Sequence, residues 1–185
     1  MPTDTEPPQV SPSSPCSVAD DATITALGES DVAGAEEGSV FGVSNCRYEL
    51  TEGGTVQIIS VPATLWAQQI PEALQQIAGS PIADAPLTAA KVDAALEMVA
   101  DGQTNTDEGA CALFSLMVEL QGLAPGQTEV VNFVPSGARP LAVNGQRCTD
   151  GAYTSVQLET EGIVDDAETY ARVTEALDAV HTAGF

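Results

Sequence analysis

The stretch that decides the fold of this chain is Ser14-Pro15-Cys16-Ser17-Val18-Ala19-Asp20-Asp21-Ala22. Here a proline-rich leader ends and a helix is predicted to begin, with Ser17 as its N-cap and Asp20 as the capping-box partner. Gly28 is expected to end this helix in the left-handed conformation. Cys16 lies at the junction, where a disulfide would join the helix to a neighbouring strand.

The cysteines indicate an oxidising compartment. There are four of them, Cys16, Cys46, Cys111 and Cys148, and the chain has one histidine. No two form a C-x-x-C pair, which argues against zinc sites and thioredoxin-like redox motifs. Two disulfides therefore fit better. Of the three pairings that four cysteines allow, we favour Cys16–Cys46 and Cys111–Cys148, because each closes a loop within one half of the chain.

The domain organisation follows from composition. Residues 1–14 are rich in Pro, Thr and Ser and are predicted to be a flexible leader, either a spacer between a domain and an anchor or a tail without a role. Residues 15–185 are predicted to form one domain. No apolar run of 18 residues exists, and no hydrophobic signal segment follows Met1, so export would require a targeting segment that precedes residue 1.

The charge is strongly acidic. Five basic residues stand against 27 acidic ones, which gives a formal net charge of −22. Such a surface repels phosphate backbones and anionic lipids, so we expect neither nucleic-acid binding nor electrostatic docking on a membrane. Cationic proteins, divalent ions or neutral surfaces would suit it; solubility alone, or adaptation to salt, is the simpler interpretation.

Hydrophobic patterning predicts helices and a hairpin in the first half. Residues 29–44 are interpreted as a surface loop. Alternation predicts two strands joined at Glu52-Gly53-Gly54, namely Cys46–Leu50 and Val56–Val61. Residues 63–78 look helical but are interrupted by Pro71, and a second helix is predicted over Leu87–Ala100.

The second half is predicted to be an antiparallel meander closed by a helix. The expected strands are Ala110–Leu120, Thr128–Val134, Arg139–Val143 and Tyr153–Leu158, with Asn144-Gly145 as a hairpin turn. The helix is expected over Asp165–Thr182, with an apolar face formed by Tyr170, Val173, Leu177 and Val180. The predicted fold class is α+β: an antiparallel sheet with helices packed on one face, held by two disulfides.

No catalytic, metal or cofactor motif is recognisable. G-x-S-x-G, Walker and G-x-G-x-x-G patterns are absent, and His181, on the last helix, is interpreted as a helix-end residue. The acidic loop Asp101–Gly109 lacks the ligand spacing of a calcium loop. Carboxylates abound, but nothing singles out a catalytic pair. We therefore predict no enzyme activity, no metal and no cofactor.

Three residues are candidates for binding. Trp66 is the only tryptophan and would serve either the core, which we favour, or a contact surface. Arg139 and Arg147 lie near Cys148, where ion pairing with carboxylates is favoured over an anion or partner site.

Several short motifs resemble those of a known group. Pro15-Cys16 before a short helix ending in Leu27-Gly28, and Cys46-x-Tyr48 at the start of a strand, resemble secreted actinobacterial lipoproteins of unknown function. The outline, over most of residues 15–183, is also similar to the extracellular sensor domains of mycobacterial Ser/Thr kinases, which carry two disulfides. The resemblance implies a lipid-anchored precursor outside the membrane, although the lipobox cysteine is absent from this sequence.

We therefore expect a non-enzymatic exported domain of the cell envelope that binds a protein partner or a small ligand and meets the membrane only through a lipid anchor. Two alternatives stay open. One is an extracellular sensor or solute-binding module with a cleft between the halves, lined by Trp66 or the arginines. The other is a hydrolase that uses an acidic pair.

Overall fold

The computed structural model describes residues 14–40, 42–78, 86–136 and 139–184. Apart from Ser14, the predicted leader lies outside the described residues. The strands are β1 (Val32–Val40), β2 (Val43–Leu50), β3 (Thr55–Pro62), β4 (Glu129–Val134), β5 (Ala142–Thr149) and β6 (Ala152–Glu159). The α-helices are α1 (Asp21–Gly28), α2 (Ala63–Ala67), α3 (Ile70–Ala78), α4 (Pro86–Ala100), α5 (Asp107–Leu120) and α6 (Ala167–Ala183).

The strands form one antiparallel sheet in the order β1-β2-β3-β6-β5-β4. The first three strands belong to one half of the chain and the last three to the other. The halves meet where β3 pairs with β6, from Thr55↔Glu159 to Pro62↔Ala152. We call this junction the seam.

The α+β class and both predicted disulfides are confirmed. Cys16 bonds Cys46 across 30 residues, and Cys111 bonds Cys148 across 37. The first joins a 3₁₀ turn, Pro15–Ser17, to β2, and the second joins α5 to β5. In the chain-entropy estimate each loop closure contributes about 3–4 kcal/mol.

The helices divide between the two faces of the sheet, whereas the sequence predicted them on one. The first face carries Val56, Val143 and Val156 and packs under α1 and α6. The second face carries Tyr153 and Cys148 and packs under α2 to α5. Because side chains alternate along each strand, this sheet buries different residues of the same strands on its two sides. The second group of helices leaves part of its face uncovered.

The predicted strand Ala110–Leu120 is wrong, since these residues belong to helix α5. Its buried residues recur at helical intervals: Ala110, Leu113, Phe114 and Val118. Thr106 caps the helix by accepting a hydrogen bond from Gly109 N at 3.1 Å. A continuous apolar run does not by itself distinguish a buried strand from a buried helix.

The predicted loop over residues 29–44 is also wrong, because β1 pairs with β2 from Val32↔Leu50 to Val40↔Val43. As an edge strand, β1 is exposed over most of its length and lacks the alternation that marks a half-buried strand. Its backbone pairing with β2, rather than its side chains, makes it a strand.

The predicted hairpin turn at Asn144-Gly145 lies instead within β5, and the turn is at Asp150-Gly151. Gly145 packs beneath α6, where an added Cβ would lie 2.7 Å from Val173 Cγ1. The glycine therefore allows close approach of the helix and not a reversal of the chain.

The ends of two helices differ from expectation. Asp20, and not Ser17, caps α1 by accepting from Thr23 N at 2.8 Å, and Glu29 takes the left-handed conformation predicted for Gly28. In α6, Tyr170 is exposed and not on the apolar face. Other expectations are confirmed: the hairpin of β2 and β3, the helix α4, and the break at Pro71, which lies in the first turn of α3.

Candidate functional site

A groove lies on the second face of the sheet, between the strands and helices α2 and α3. Its volume is about 460 Å³, within the range of small-ligand sites. It crosses the seam, since the two halves of the chain both contribute strands to its floor. The described residues that line it are Val40, Gly42, Val43, Gln57, Ile59, Trp66, Gln69, Ile70, Glu72, Ala73, Gln76, Asn144, Gln146, Tyr153, Ser155 and Gln157.

Carboxamides line the floor in register across three strands. Gln57 of β3 lies opposite Gln157 of β6, which lies opposite Asn144 of β5. One register further along the strands, Gln146 lies opposite Ser155. Because residues two apart on a strand point to the same face, these polar side chains meet on one patch. We call these five residues the amide floor.

The amide floor is only partly engaged in hydrogen bonds of its own. Asn144 Nδ2 donates to Gln157 Oε1 at 3.1 Å, and Ser155 Oγ donates to Asn144 Oδ1 at 3.5 Å. Gln157 Nε2 donates to Glu159 Oε1 at 2.5 Å. Within the described residues, the carboxamides of Gln57 and Gln146 bond no other side chain or backbone group. Each carboxamide brings donors and an acceptor, so the floor can both donate to and accept from a ligand.

Apolar side chains form the wall at one end of the groove. Trp66 stacks on Tyr153 with ring centroids 4.7 Å apart and planes 16° apart, and Phe114 packs edge-on to both at 5.9 Å. Trp66 is 9% exposed, so it belongs to the core and presents only a margin to the groove. Ile59 and Ile70 continue this apolar wall. The stacked pair gives the groove a rigid end.

Tyr153 keeps its proton far into the alkaline range. Burial raises the pKa of its phenol to about 12, although side-chain hydrogen bonds with Ser155 and Trp66 oppose the shift. The hydroxyl at this end of the groove is therefore neutral at physiological pH.

The groove continues towards β4 as a second, shallower depression of about 380 Å³. The two share Asn144 and Gln146 in their linings. The second depression adds two more carboxamides, Asn132 and Gln121, of which Asn132 Nδ2 donates to Gln121 Oε1 at 2.7 Å. Asn132 lies opposite Asn144, so it extends the row of amides onto a fourth strand.

The groove carries little charge. Among the described lining residues, Glu72 is the only ionisable group with a charge at neutral pH, and its side chain is exposed. Ligands that need a cation or a pair of carboxylates would find neither here.

The structure separates the three residues singled out from the sequence. Trp66 reaches the groove, but Arg147 points to the first face, where it pairs with Glu129 and Asp178. Its Nε donates to Glu129 Oε2 at 2.8 Å. Burial disfavours its charge, but the hydrogen bonds and negative charges of Glu129 and Asp178 outweigh the burial and raise the pKa of the guanidinium. Arg139 is exposed in the loop between β4 and β5, away from the lining of the groove.

His181 connects α6 to the sheet on the first face. Its Nε2 lies 2.8 Å from Thr149 Oγ1 and its Nδ1 lies 2.8 Å from Thr154 Oγ1. Burial, followed by the positive charge of Arg147, lowers the pKa of the imidazole. A neutral imidazole between two hydroxyls holds the end of the helix in place, which is a structural role.

A larger open depression of about 770 Å³ lies beside the start of α6. Its one cationic group among the described residues is Arg172, which pairs with Glu29 and donates to Leu27 O at 3.4 Å. The other charged groups there are acidic: Glu52, Glu161, Asp166 and Glu168. With its arginine engaged, this depression offers no anchor for an anion.

Sequence reasoning missed the amide floor. The signal that could have found it is the polar residue at every second position of a predicted strand, as in Gln57 between Val56 and Ile58. In a sheet that is covered on one face only, such alternation places the polar residues in solvent. Here helices α2 and α3 partly cover the face that carries Gln57.

Among the described residues, no group of three or more His, Cys, Asp or Glu side chains is arranged to hold a metal ion. Of the helices described, none has the length and apolar character needed to cross a bilayer. No protein-family model matches the chain, and neither a curated protein nor a solved structure is significantly similar to it. The likeness to actinobacterial lipoproteins thus stays a prediction.

Proposed function

We propose that this domain is a non-enzymatic binding module of an exported protein and that it holds a small uncharged ligand in the groove. The observation that carries the proposal is a cavity of about 460 Å³ with a rigid apolar end at Trp66, a floor of carboxamides and, in its described lining, one charged residue. Ligand sites of this size combine apolar walls with a few directed polar groups.

The position of the groove supports a solute-binding or sensor role. The groove crosses the seam, so a ligand would contact both halves of the sheet at once. The two disulfides favour an oxidising, extracellular setting. Attachment to the outer face of the cytoplasmic membrane through a lipid anchor is the finer part of the proposal and depends on the resemblance stated above.

A hydrolase and a protein-binding domain have less support. A hydrolase with an acidic pair would need two carboxylates in one cleft, and the described groove lining includes Glu72 alone. A protein partner would need a contact surface, and one of the two candidate arginines, Arg147, is already paired with Glu129 and Asp178.

Trp66 provides the test, because the chain has a single tryptophan and it lies at the groove. The neutral dye N-phenyl-1-naphthylamine is titrated into the protein, and energy transfer from Trp66 to the dye is measured. We expect saturable transfer in the wild type. The variant Ala73→Phe fills the groove from α3 and should abolish this transfer.

Ala94→Phe is the matched control, since Ala94 is exposed on α4 and does not line the groove. It should bind the dye as the wild type does. Dye binding that is equal in all three proteins, or absent from the wild type, would count against the proposal.

A further inference from the structure

We infer that the ligand of the groove is a neutral oligosaccharide, held by the amide floor along the row of carboxamides that crosses the sheet. This inference rests on the proposed function and names the class of ligand.

The hydrogen-bonding chemistry of the floor matches hydroxyl groups. A sugar hydroxyl donates one hydrogen bond and accepts others, and a carboxamide offers both functions in one plane. Gln57, Gln157 and Asn144 lie side by side in register, with Gln146 and Ser155 in the next register. A row of adjacent groups that both donate and accept suits a ligand with hydroxyls on several adjacent ring carbons.

The extent of the row favours an oligosaccharide over a single sugar. Asn132 of β4 lies opposite Asn144, so the row of carboxamides continues in register onto a fourth strand. At the usual spacing of neighbouring strands, this row from β3 to β4 extends about 14 Å. The two depressions that share Asn144 and Gln146 follow the same direction.

A compact aromatic probe such as the dye can bind at the apolar wall alone, but an acyl chain long enough to extend across the amide floor fits poorly. It would cover Gln57 and Gln146 and exclude water from them without replacing the lost hydrogen bonds. The apolar lining residues, among them Val43, Ile59 and Ile70, cannot replace those hydrogen bonds. A sugar can contact both the apolar wall and the amide floor, because its C–H groups can pack on the wall while its hydroxyls reach the floor.

Anionic ligands are disfavoured by charge. The described lining contains no cation, its one charged group at neutral pH is Glu72, and the chain carries a net charge of −22. A phosphorylated sugar or a nucleotide would meet this field without a compensating contact.

A peptide is also a poorer match. The floor is a sheet face, where the backbone groups of β3, β6 and β5 already bond one another, so a peptide could not pair with them as an added strand. Only side chains are left to recognise the ligand, and they offer no charge to a terminus.

The test is isothermal calorimetry with cellotriose, maltotriose and chitotriose, and with glucose 6-phosphate and a Gly-Ser hexapeptide for comparison. We expect at least one trisaccharide to bind the wild type, and neither the phosphate nor the peptide to do so. The double variant Gln57→Met/Gln146→Met keeps the side-chain length but removes two carboxamides, and should weaken binding of that trisaccharide at least tenfold.

Gln75→Met is the matched control, because Gln75 is exposed on α3 and does not line the groove. It should bind as the wild type does. The double variant should still bind N-phenyl-1-naphthylamine, which establishes that its groove is folded. Gln146→Glu, which adds a charge at the same length, should also weaken binding of the trisaccharide.

The possible results distinguish failure of the oligosaccharide inference from failure of the proposed function. Dye binding without saccharide binding, peptide binding in place of saccharide, or equal saccharide affinity in the double variant overturns the oligosaccharide but leaves the proposed function. Loss of dye binding from the wild type itself removes both.

Discussion

At the scale of single residues, Gly145 shows how a local sequence signal is overridden by packing. Asn-Gly is a strong hairpin-turn signal, yet here it lies inside β5 under α6. The close approach of Val173 and Leu177 leaves no room for a larger side chain. A pattern of two residues cannot reveal a helix that arrives from about 30 residues further along the chain.

Gly145→Ala should therefore destabilise the domain. Its Cβ would lie 2.7 Å from Val173 Cγ1, and overpacking of this kind costs about 1–3 kcal/mol. Urea unfolding followed by circular dichroism measures the change. Gly34→Ala in β1 is the control, since nothing lies within 4 Å of its added Cβ. Equal stability of the two variants would show that α6 does not pack as described.

Tyr153 gives a pH-dependent prediction. An unfolded tyrosine ionises near pH 10, whereas the folded pKa is raised to about 12, so the folded state holds the proton more tightly. The resulting stability is fully present below about pH 10 and is lost as the pH rises through 12. When the pH is raised and phenolate absorbance is followed, Tyr153→Phe should lack the component that appears at the highest pH. Loss of a component near pH 10 instead would contradict the burial of this phenol.

At the scale of elements, the sequence predicts what depends on alternation, caps and breakers. The hairpin of β2 and β3, the division of helices at Pro71, and the closing helix α6 all follow from such local rules. It does not predict β1, whose exposed side chains carry no pattern, or α5, whose uniform apolar run is compatible with either structure. Both depend on contacts with distant parts of the chain.

The amide floor also depends on contacts between distant parts of the chain. Its members come from three strands, and their meeting depends on the seam pairing of β3 with β6. The sequence predicted Trp66 as a candidate but linked it with two arginines. Because side chains alternate along β5, Arg147 lies on the opposite face of the sheet from Asn144 and Gln146, and only the strand register shows which face carries the groove.

The two disulfides should contribute similarly to the free energy of unfolding, but only one of them should affect ligand binding in the groove. Their loops of 30 and 37 residues predict losses of about 3–4 kcal/mol for either Cys16→Ala/Cys46→Ala or Cys111→Ala/Cys148→Ala. Only the second bond anchors α5, whose Phe114 packs on Trp66 and Tyr153. Thermal unfolding and dye titration of both variants test this.

We expect dye binding to weaken in the Cys111/Cys148 variant and to persist, below its unfolding temperature, in the Cys16/Cys46 variant. The reverse pattern would mean that the wall of the groove depends on the first face and not on α5.

At the scale of the whole molecule, the two faces of the sheet have different roles. The first is closed by α1 and α6, with polar connections such as those of His181 at its margin. The second is covered only in part, and the described lining of the uncovered part has one charged residue, Glu72, while the molecule as a whole is strongly acidic. A neutral patch of partly buried amides on such a molecule is the feature that the proposed function explains.

The most direct test of this account is an NMR titration that follows the side-chain NH₂ groups of Gln57, Gln146 and Gln75 and the indole N–H of Trp66. The ligand is an equimolar mixture of cellotriose, maltotriose and chitotriose at millimolar concentration. We expect the signals of Gln57, Gln146 and Trp66 to shift together and saturate, and the signal of Gln75 to stay unchanged. Unchanged signals at the amide floor, or shifts confined to other surfaces, would contradict it.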